Sequence, residues 1–170
     1  SFIKYFLKKN KNIKSFLDIG CGSGILLKLM NKKVNYLGVD ADAGIYKRKK
    51  HSKIKYFKNA QSTENYLIKS NKKYDVVALM DVLEHTDSFI KLFNIALKKS
   101  NKFVIVSLPN EDYWKSRLNF LIGKGVRTHG LEMIGKKPGH KHQWFVQFKK
   151  ALPLLSKVGK QLNFKLYETM

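Results

Sequence analysis

The residues best suited to chemistry fall in two clusters, with a pair of histidines further on. In the first, Asp18-Ile19-Gly20-Cys21-Gly22-Ser23-Gly24 sets an acid just before three alternating glycines. Glycines admit backbone angles closed to other residues and let a ligand lie against the main chain. The G-x-G-x-G spacing differs from the G-x-G-x-x-G that cradles a pyrophosphate. Asp18 is placed to meet a cationic or hydroxyl-bearing part of such a ligand. Asp40, at the end of the next strand-like run, stands where an adenosine ribose needs a hydroxyl acceptor. Cys21 has no histidine nearby in sequence to activate it, so it reads as a small packed residue, not a nucleophile.

The second cluster is Asp81, Glu84 and His85. At i, i+3 and i+4 they share one face if a helix begins near Asp81. Two carboxylates and an imidazole suit a divalent cation such as Mg²⁺ or Zn²⁺, which would make an acceptor hydroxyl a better nucleophile. His85 alone suits a general base. The plainer alternative is structural, with Glu84 capping backbone amides and His85 packed at the mouth of the site. Further on, His140 and His142 stand two apart before Gln143-Trp144, so an extended loop points them the same way. They suit a metal or an anionic substrate, or else one of them bonds the main chain of an exposed loop. Tyr113 and Trp114 either line an acceptor pocket or pack the helix they start.

Strand-like and helix-like runs alternate along the chain. This predicts an α/β fold: a Rossmann-like, mainly parallel sheet with helices on both faces. Residues 15–20, 35–40, 53–59, 74–81 and 102–108 read as strands, the fourth nearly all apolar as a central parallel strand should be. Residues 24–31, 43–50, 62–69 and 87–99 read as helices, the last capped by Asp87 or Ser88. Residues 111–122 look helical, and 123–143 lack periodicity. That stretch is long for a single domain covering 1–170, and such loops are often functional lids or disordered. Residues 144–157 return to helical spacing, with Pro153 expected to kink or divide the helix. Residues 161–168 alternate enough for a final, sixth strand, and no seventh is visible.

The glycine turn resembles the first motif of class I S-adenosylmethionine-dependent methyltransferases. Tyr74-Asp75-Val76-Val77, followed by Asp81-Val82-Leu83-Glu84-His85, is similar to that family's fourth strand and its exit. Ser107-Leu108-Pro109-Asn110 is similar to the fifth-strand exit of the MetW-like group. The likeness spans about residues 16–110 and is nearest to the small-molecule methyltransferases of the ubiquinone-biosynthesis and MetW-like groups. It implies S-adenosylmethionine as cofactor, with Gly20, Cys21, Gly22 and Gly24 in the turn that carries it. Asp18 would hold its amino end, directly or by water, and Asp40 would accept from the ribose hydroxyls. Ala41 would lie against the adenine, and Met80 and Asp81 would flank the methionine part. The family often has an aspartate for the adenine amino group where this chain has Asn59, whose amide oxygen would take that role. Ubiquinone-type relatives also carry an acid-x-x-Glu-His metal site, matched here by Asp81, Glu84 and His85. The resemblance implies further that an insertion over about 111–143 forms the acceptor lid. The implied reaction is in-line methyl transfer to an oxygen, less so a nitrogen, of a small-molecule acceptor, with His85 as the base. Transfer to RNA or protein, or a non-catalytic cofactor-binding role, are the alternatives.

Composition bounds these readings. At 170 residues and 44% hydrophobic the chain suits one domain with an ordinary core. Cys21 is the single cysteine, so no intrachain disulfide forms, and a cytoplasmic location is expected. No apolar run approaches the roughly 20 residues of a membrane span. The net charge of +22 favours a nucleic-acid or anionic-membrane partner, but only Arg48, Arg117 and Arg127 among 34 basic residues are arginine. Phosphate-reading surfaces favour arginine forks. Scattered lysines alongside abundant asparagine and isoleucine point instead to compositional drift.

Overall fold

The computed structural model describes residues 2–41, 51–109, 114–123, 142, 144 and 146–167. Helix α1 (Phe2–Lys9) leads into β1 (Ser15–Ile19), a 3-10 turn (Leu26–Leu29), β2 (Asn35–Asp40) and β3 (Ile54–Tyr56). Next come α2 (Ala60–Lys69), β4 (Tyr74–Met80), a second 3-10 turn (Leu83–His85), α3 (Phe89–Lys99) and β5 (Ser100–Ser107). Helices α4 (Trp114–Leu121) and α5 (Phe148–Gln161) close the described chain. The five strands are parallel, in the order β3-β2-β1-β4-β5. This is the Rossmann-like, parallel sheet that the alternation of strands and helices predicts.

Alternation along each strand divides the core in two. Leu17, Ile19, Val77 and Leu79 face α2, α3 and α5, meeting Leu67, Leu92, Phe93, Leu155 and Val158. Phe16, Tyr36, Val76 and Ala78 face the other way and are covered by Ile3, Phe6 and Leu7 of α1 and by Leu26 and Leu27. Asp18 lies between Leu17 and Ile19 in β1, so it shares the face of Phe16 and Tyr36. That parity sets up a contact described below.

Several elements depart from the sequence reading. Helix α1 was not expected; its lysines point outward while Ile3 is buried and Phe6 meets Phe103 edge-on at 5.2 Å. The helix expected over 24–31 shrinks to one 3-10 turn, because Met30 is already extended (ψ 138). Strand β3 keeps only three residues. Helix α5 is not divided at Pro153. The proline sits on its exposed side and removes only its own N–H from the helix ladder. The expected sixth strand is absent among the described residues. Gln161 still belongs to α5, and the chain then turns back through Asn163 (φ 61), whose neighbour Phe164 donates its N–H to the Gly159 carbonyl at 2.9 Å. That bond is the signature of a Schellman helix end.

Candidate active site

The strand order reverses between β1 and β4, so their carboxyl ends flank the crevice where open α/β sheets take ligands. Both sequence clusters lie there. Gly20 (φ 73) and Gly22 (φ 52) adopt left-handed backbone, which side chains adopt only with strain. They differ in surroundings. A Cβ on Gly20 would drive into the Val82 side chain, whereas a Cβ on Gly22 would meet no atom of the described residues within 4 Å.

Side chains from neighbouring strands hold the main chain of Gly22 at both polar groups. Its N–H donates to Asp40 Oδ2 at 2.6 Å, and its carbonyl accepts from the Tyr56 hydroxyl at 3.2 Å. The turn also hangs from β2, with the Gly20 and Cys21 N–H groups both donating to the Val39 carbonyl. Beneath it, Asp18 is fully buried and accepts from the Tyr36 hydroxyl at 2.6 Å. Burial pushes the Asp18 carboxyl up to about 7, with Tyr36 pulling against it and Asp40 adding to it. One oxygen of the Asp18 carboxyl is thus committed to Tyr36 in the core, beneath the turn whose ligand contact was expected of it. Burial, reinforced by Asp18 and Asp40, drives the Cys21 thiol well above its usual range, which fits a packed residue.

At the end of β4, Asp81 takes positive φ (53) and is exposed. Its N–H donates to Ser107 Oγ at 2.9 Å, and the same hydroxyl donates to Asp81 Oδ1 at 2.6 Å. This double link ties the exit of β4 to the end of β5. It also takes Asp81 out of the expected cation set: no helix begins at Asp81, so the three side chains do not share one face. Glu84 turns inward, 1% exposed, and its Oε2 has no hydrogen-bond partner among the described residues. Burial raises the pKa of Glu84, with the charge of Asp81 adding to it, while its own backbone N–H, His85 and His142 act in the opposite sense.

His142 takes the place expected of Asp81. Its ring meets that of His85 edge-on with centroids 4.8 Å apart. One ligand atom each from Glu84, His85 and His142 lies within 4.8 Å of the others. The segment bearing His142 is docked by Trp144, whose backbone N–H donates to the Glu84 carbonyl at 3.4 Å and whose indole N–H donates to the Thr86 carbonyl at 2.6 Å.

The comparisons with known proteins enter on this geometry. A family profile described as a methyltransferase domain matches residues 1–152. The chain belongs to the methyltransferase-domain family. Among curated relatives, the domain is 37% identical over 111 residues to the ubiquinone biosynthesis O-methyltransferase of Pelagibacter ubique, covering 59% of this chain and 44% of that protein. It is 29% identical over 153 residues to the enzyme of the same name from Hydrogenovibrio crunogenus, covering 84% of this chain and 61% of that one. The methyltransferase domain thus spans about half to two thirds of these relatives' length. In fold it matches the magnesium protoporphyrin IX methyltransferase of Synechocystis, solved with bound SAH, with a TM-score of 0.63 at 17% identity. That match covers 99% of this chain and 73% of the other.

The remaining expected site residues are dispersed. Asn59 caps α2, its side-chain oxygen accepting from both the Ser62 N–H and the Ser62 hydroxyl at 2.8 Å. Those two donors already use the oxygen that an adenine amino group would need. Ala41 follows β2, half-buried, and Met80 ends β4, packed against the α1 side of the core. Gly24 (φ 79) is closed off, since a Cβ would lie 2.5 Å from Ile54 Cδ1. Trp114 opens α4 and is 60% exposed, so it does not pack that helix onto the core. Tyr113 and His140 lie outside the described residues, as does most of the 111–143 insertion. Sequence reasoning missed Tyr36, Tyr56 and Ser107. Tyr36 was detectable in principle, because its strand parity matches that of Asp18.

Proposed function

We propose that this methyltransferase domain moves the methyl group of S-adenosylmethionine to an oxygen of a small-molecule acceptor. The observation that carries the reading is the open side of Gly22, where a Cβ would meet no described residue within 4 Å, adjoining the Asp40 carboxylate. An extended ligand lies against such a glycine without steric penalty. Asp40 spends one oxygen on the Gly22 N–H, and its acceptor capacity suits ribose hydroxyls. Gly20, Cys21 and Gly22 would carry the methionine part, with Ala41 beside the adenine and Met80 and Asp81 flanking. Asp18 acts through the turn, by holding its base in place. When bound, S-adenosylmethionine supplies an electrophilic methyl group on a sulfonium centre. The domain's own contribution is orientation, together with removal of the acceptor's proton by His85 at the β4 exit. Support for oxygen as the acceptor comes from the curated relatives, both named O-methyltransferases. We assign acceptor choice to the 111–143 insertion, with Tyr113, Trp114, His140 and His142 as its contacts.

A second element of the reading rests on Glu84 Oε2. A buried, unpaired carboxylate oxygen is costly unless it protonates or gains a cation. Two imidazoles beside it complete a donor set of one oxygen and two nitrogens, which suits a divalent transition metal or Zn²⁺. A cation held there would act as a Lewis acid on the acceptor hydroxyl.

Calorimetry with S-adenosylmethionine and with its demethylated product tests the cofactor assignment. The expected affinity is micromolar or better, about −8 kcal/mol. Equal binding of NAD would refute it. Turnover on pooled small metabolites, measured beside bulk RNA, tests the acceptor class. Exhaustive chelation separates cation from base. If turnover survives it, His85→Ala is expected to cost about 10²–10⁴-fold through loss of the base alone.

A further inference from the structure

We infer that Trp144 is a positioning residue, whose indole N–H clasps the segment bearing His142 onto the turn bearing Glu84 and His85. The inference rests on the proposal that this mouth is the reactive one, and it assigns a function to a side chain outside both sequence clusters.

His85 and His142 come from distant parts of the chain, so their contact must be imposed by whatever docks the later segment. Two hydrogen bonds from Trp144 reach across to the turn. The stronger runs from the indole N–H to the Thr86 carbonyl at 2.6 Å, across 58 positions of sequence. The weaker runs from the Trp144 backbone N–H to the Glu84 carbonyl at 3.4 Å. Their acceptors bracket His85, so the clasp closes on the residues immediately either side of it. The carbonyls are themselves fixed: the Thr86 hydroxyl donates to the Leu83 carbonyl at 2.9 Å, and the His85 and Thr86 N–H groups close the 3-10 turn.

Packing alone does not explain the residue. Trp144 is 44% exposed, whereas Val146 two positions later is 4% exposed and anchors the segment in the core. An indole kept for burial would be covered further, and an indole kept for its N–H needs only the edge that makes the bond. His142 lies two residues before Trp144, on the far side of it from the Val146 anchor. The clasp therefore fixes the part of the segment that Val146 does not reach.

The test removes the N–H and keeps the ring. Trp144→Phe and a benzothienylalanine at position 144, which carries sulfur where the indole has N–H, are compared with wild type. The first readout needs no cation: nuclear Overhauser contacts between the imidazole protons of His85 and His142. They are expected in wild type and lost in both variants, with unfolding still cooperative and only a few degrees lower and product binding unchanged. Contacts that persist in the variants overturn the inference. The second readout is Co²⁺ affinity by absorbance. Both variants are expected to bind about 10–100-fold more weakly, the range for loss of a supporting contact. His142→Ala should add little further loss on top of Trp144→Phe. Additive losses would overturn the clasp. Absence of Co²⁺ binding in wild type would remove the cation reading alone, leaving the imidazole contacts to decide the clasp. Should Trp144→Phe fail to fold, the isosteric benzothienyl variant carries both readouts.

Discussion

Gly20 and Gly22 are two positions apart and both have positive φ, yet an added methyl group should act on them in opposite ways. At Gly22 the Cβ meets no described residue within 4 Å, so Gly22→Ala costs stability through its backbone angle, about 1–2 kcal/mol. At Gly20 the Cβ drives into Val82, at the exit of β4. Overpacking of that kind adds about 1–3 kcal/mol to the same backbone cost. For a domain of this size, 1 kcal/mol shifts Tm by about 2–4 °C. Gly22→Ala should therefore melt only a few degrees below wild type, and Gly20→Ala two to three times further. Binding should run the other way. The methyl group of Gly22→Ala fills the side on which the cofactor is proposed to lie, so affinity for the demethylated cofactor should fall at least tenfold, about 1.4 kcal/mol. Differential scanning calorimetry and isothermal titration on the two variants give both numbers. If Gly22→Ala binds as wild type does, the open side of the turn is not the cofactor side and the site assignment fails.

Three further outcomes follow from the same geometry. Asp40→Ala should lose about 1.5–3 kcal/mol of cofactor binding by titration calorimetry, because it strips a charged acceptor; unchanged affinity would remove Asp40 from the site. Burial raises the Asp18 carboxyl to about 7, so the fold favours the protonated acid. The stability this gives is fully present below about pH 4 and is lost as pH rises towards 7, by on the order of 4 kcal/mol. Asp18→Asn keeps an acceptor for Tyr36 and should lack this decline; parallel urea-unfolding profiles for the two proteins from pH 4 to 7 would contradict it. Filter binding to RNA should be weak and fall by orders of magnitude between low and physiological salt, since dispersed lysines neutralise phosphates without reading bases; a sequence-specific complex at physiological salt would make RNA the better acceptor candidate.

What the sequence revealed was what local chemistry encodes. The glycine turn announces itself because its demand for unusual backbone is met by residue type within seven positions. Strand β4 does so because a strand covered on both faces must be apolar throughout. Helix α1 was hidden because Lys4, Lys8 and Lys9 break up a short apolar run, and its inner side is revealed by the burial of Ile3 and the contact of Phe6 with Phe103. Residues 161–168 alternate like a strand, yet over the described 161–167 a helix end closed by a local hydrogen bond outweighs that pattern. Asn59 occupied the expected place for an adenine contact, but a helix begins one residue later and took its oxygen first. The meeting of His142 with His85 was out of reach for a different reason. Spacing rules describe one element at a time, and this contact joins a turn after β4 to a segment before α5.

The placement of Cys21 turns the molecule into its own gauge of motion. The thiol is 8% exposed and lies against Gly38, where even a Cβ would sit 2.7 Å from its sulfur. Its packing against β2 leaves a thiol reagent little of the sulfur to meet while the turn stays closed. Because burial also keeps the thiol protonated in the closed state, modification must proceed through openings of the glycine turn. With reclosing fast compared with modification, the labelling rate reads the equilibrium population of the open form. A ligand seated on the turn would suppress those openings in proportion to its occupancy. One mass measurement per time point, on the unaltered chain with its single cysteine, would thus report how firmly the turn is held.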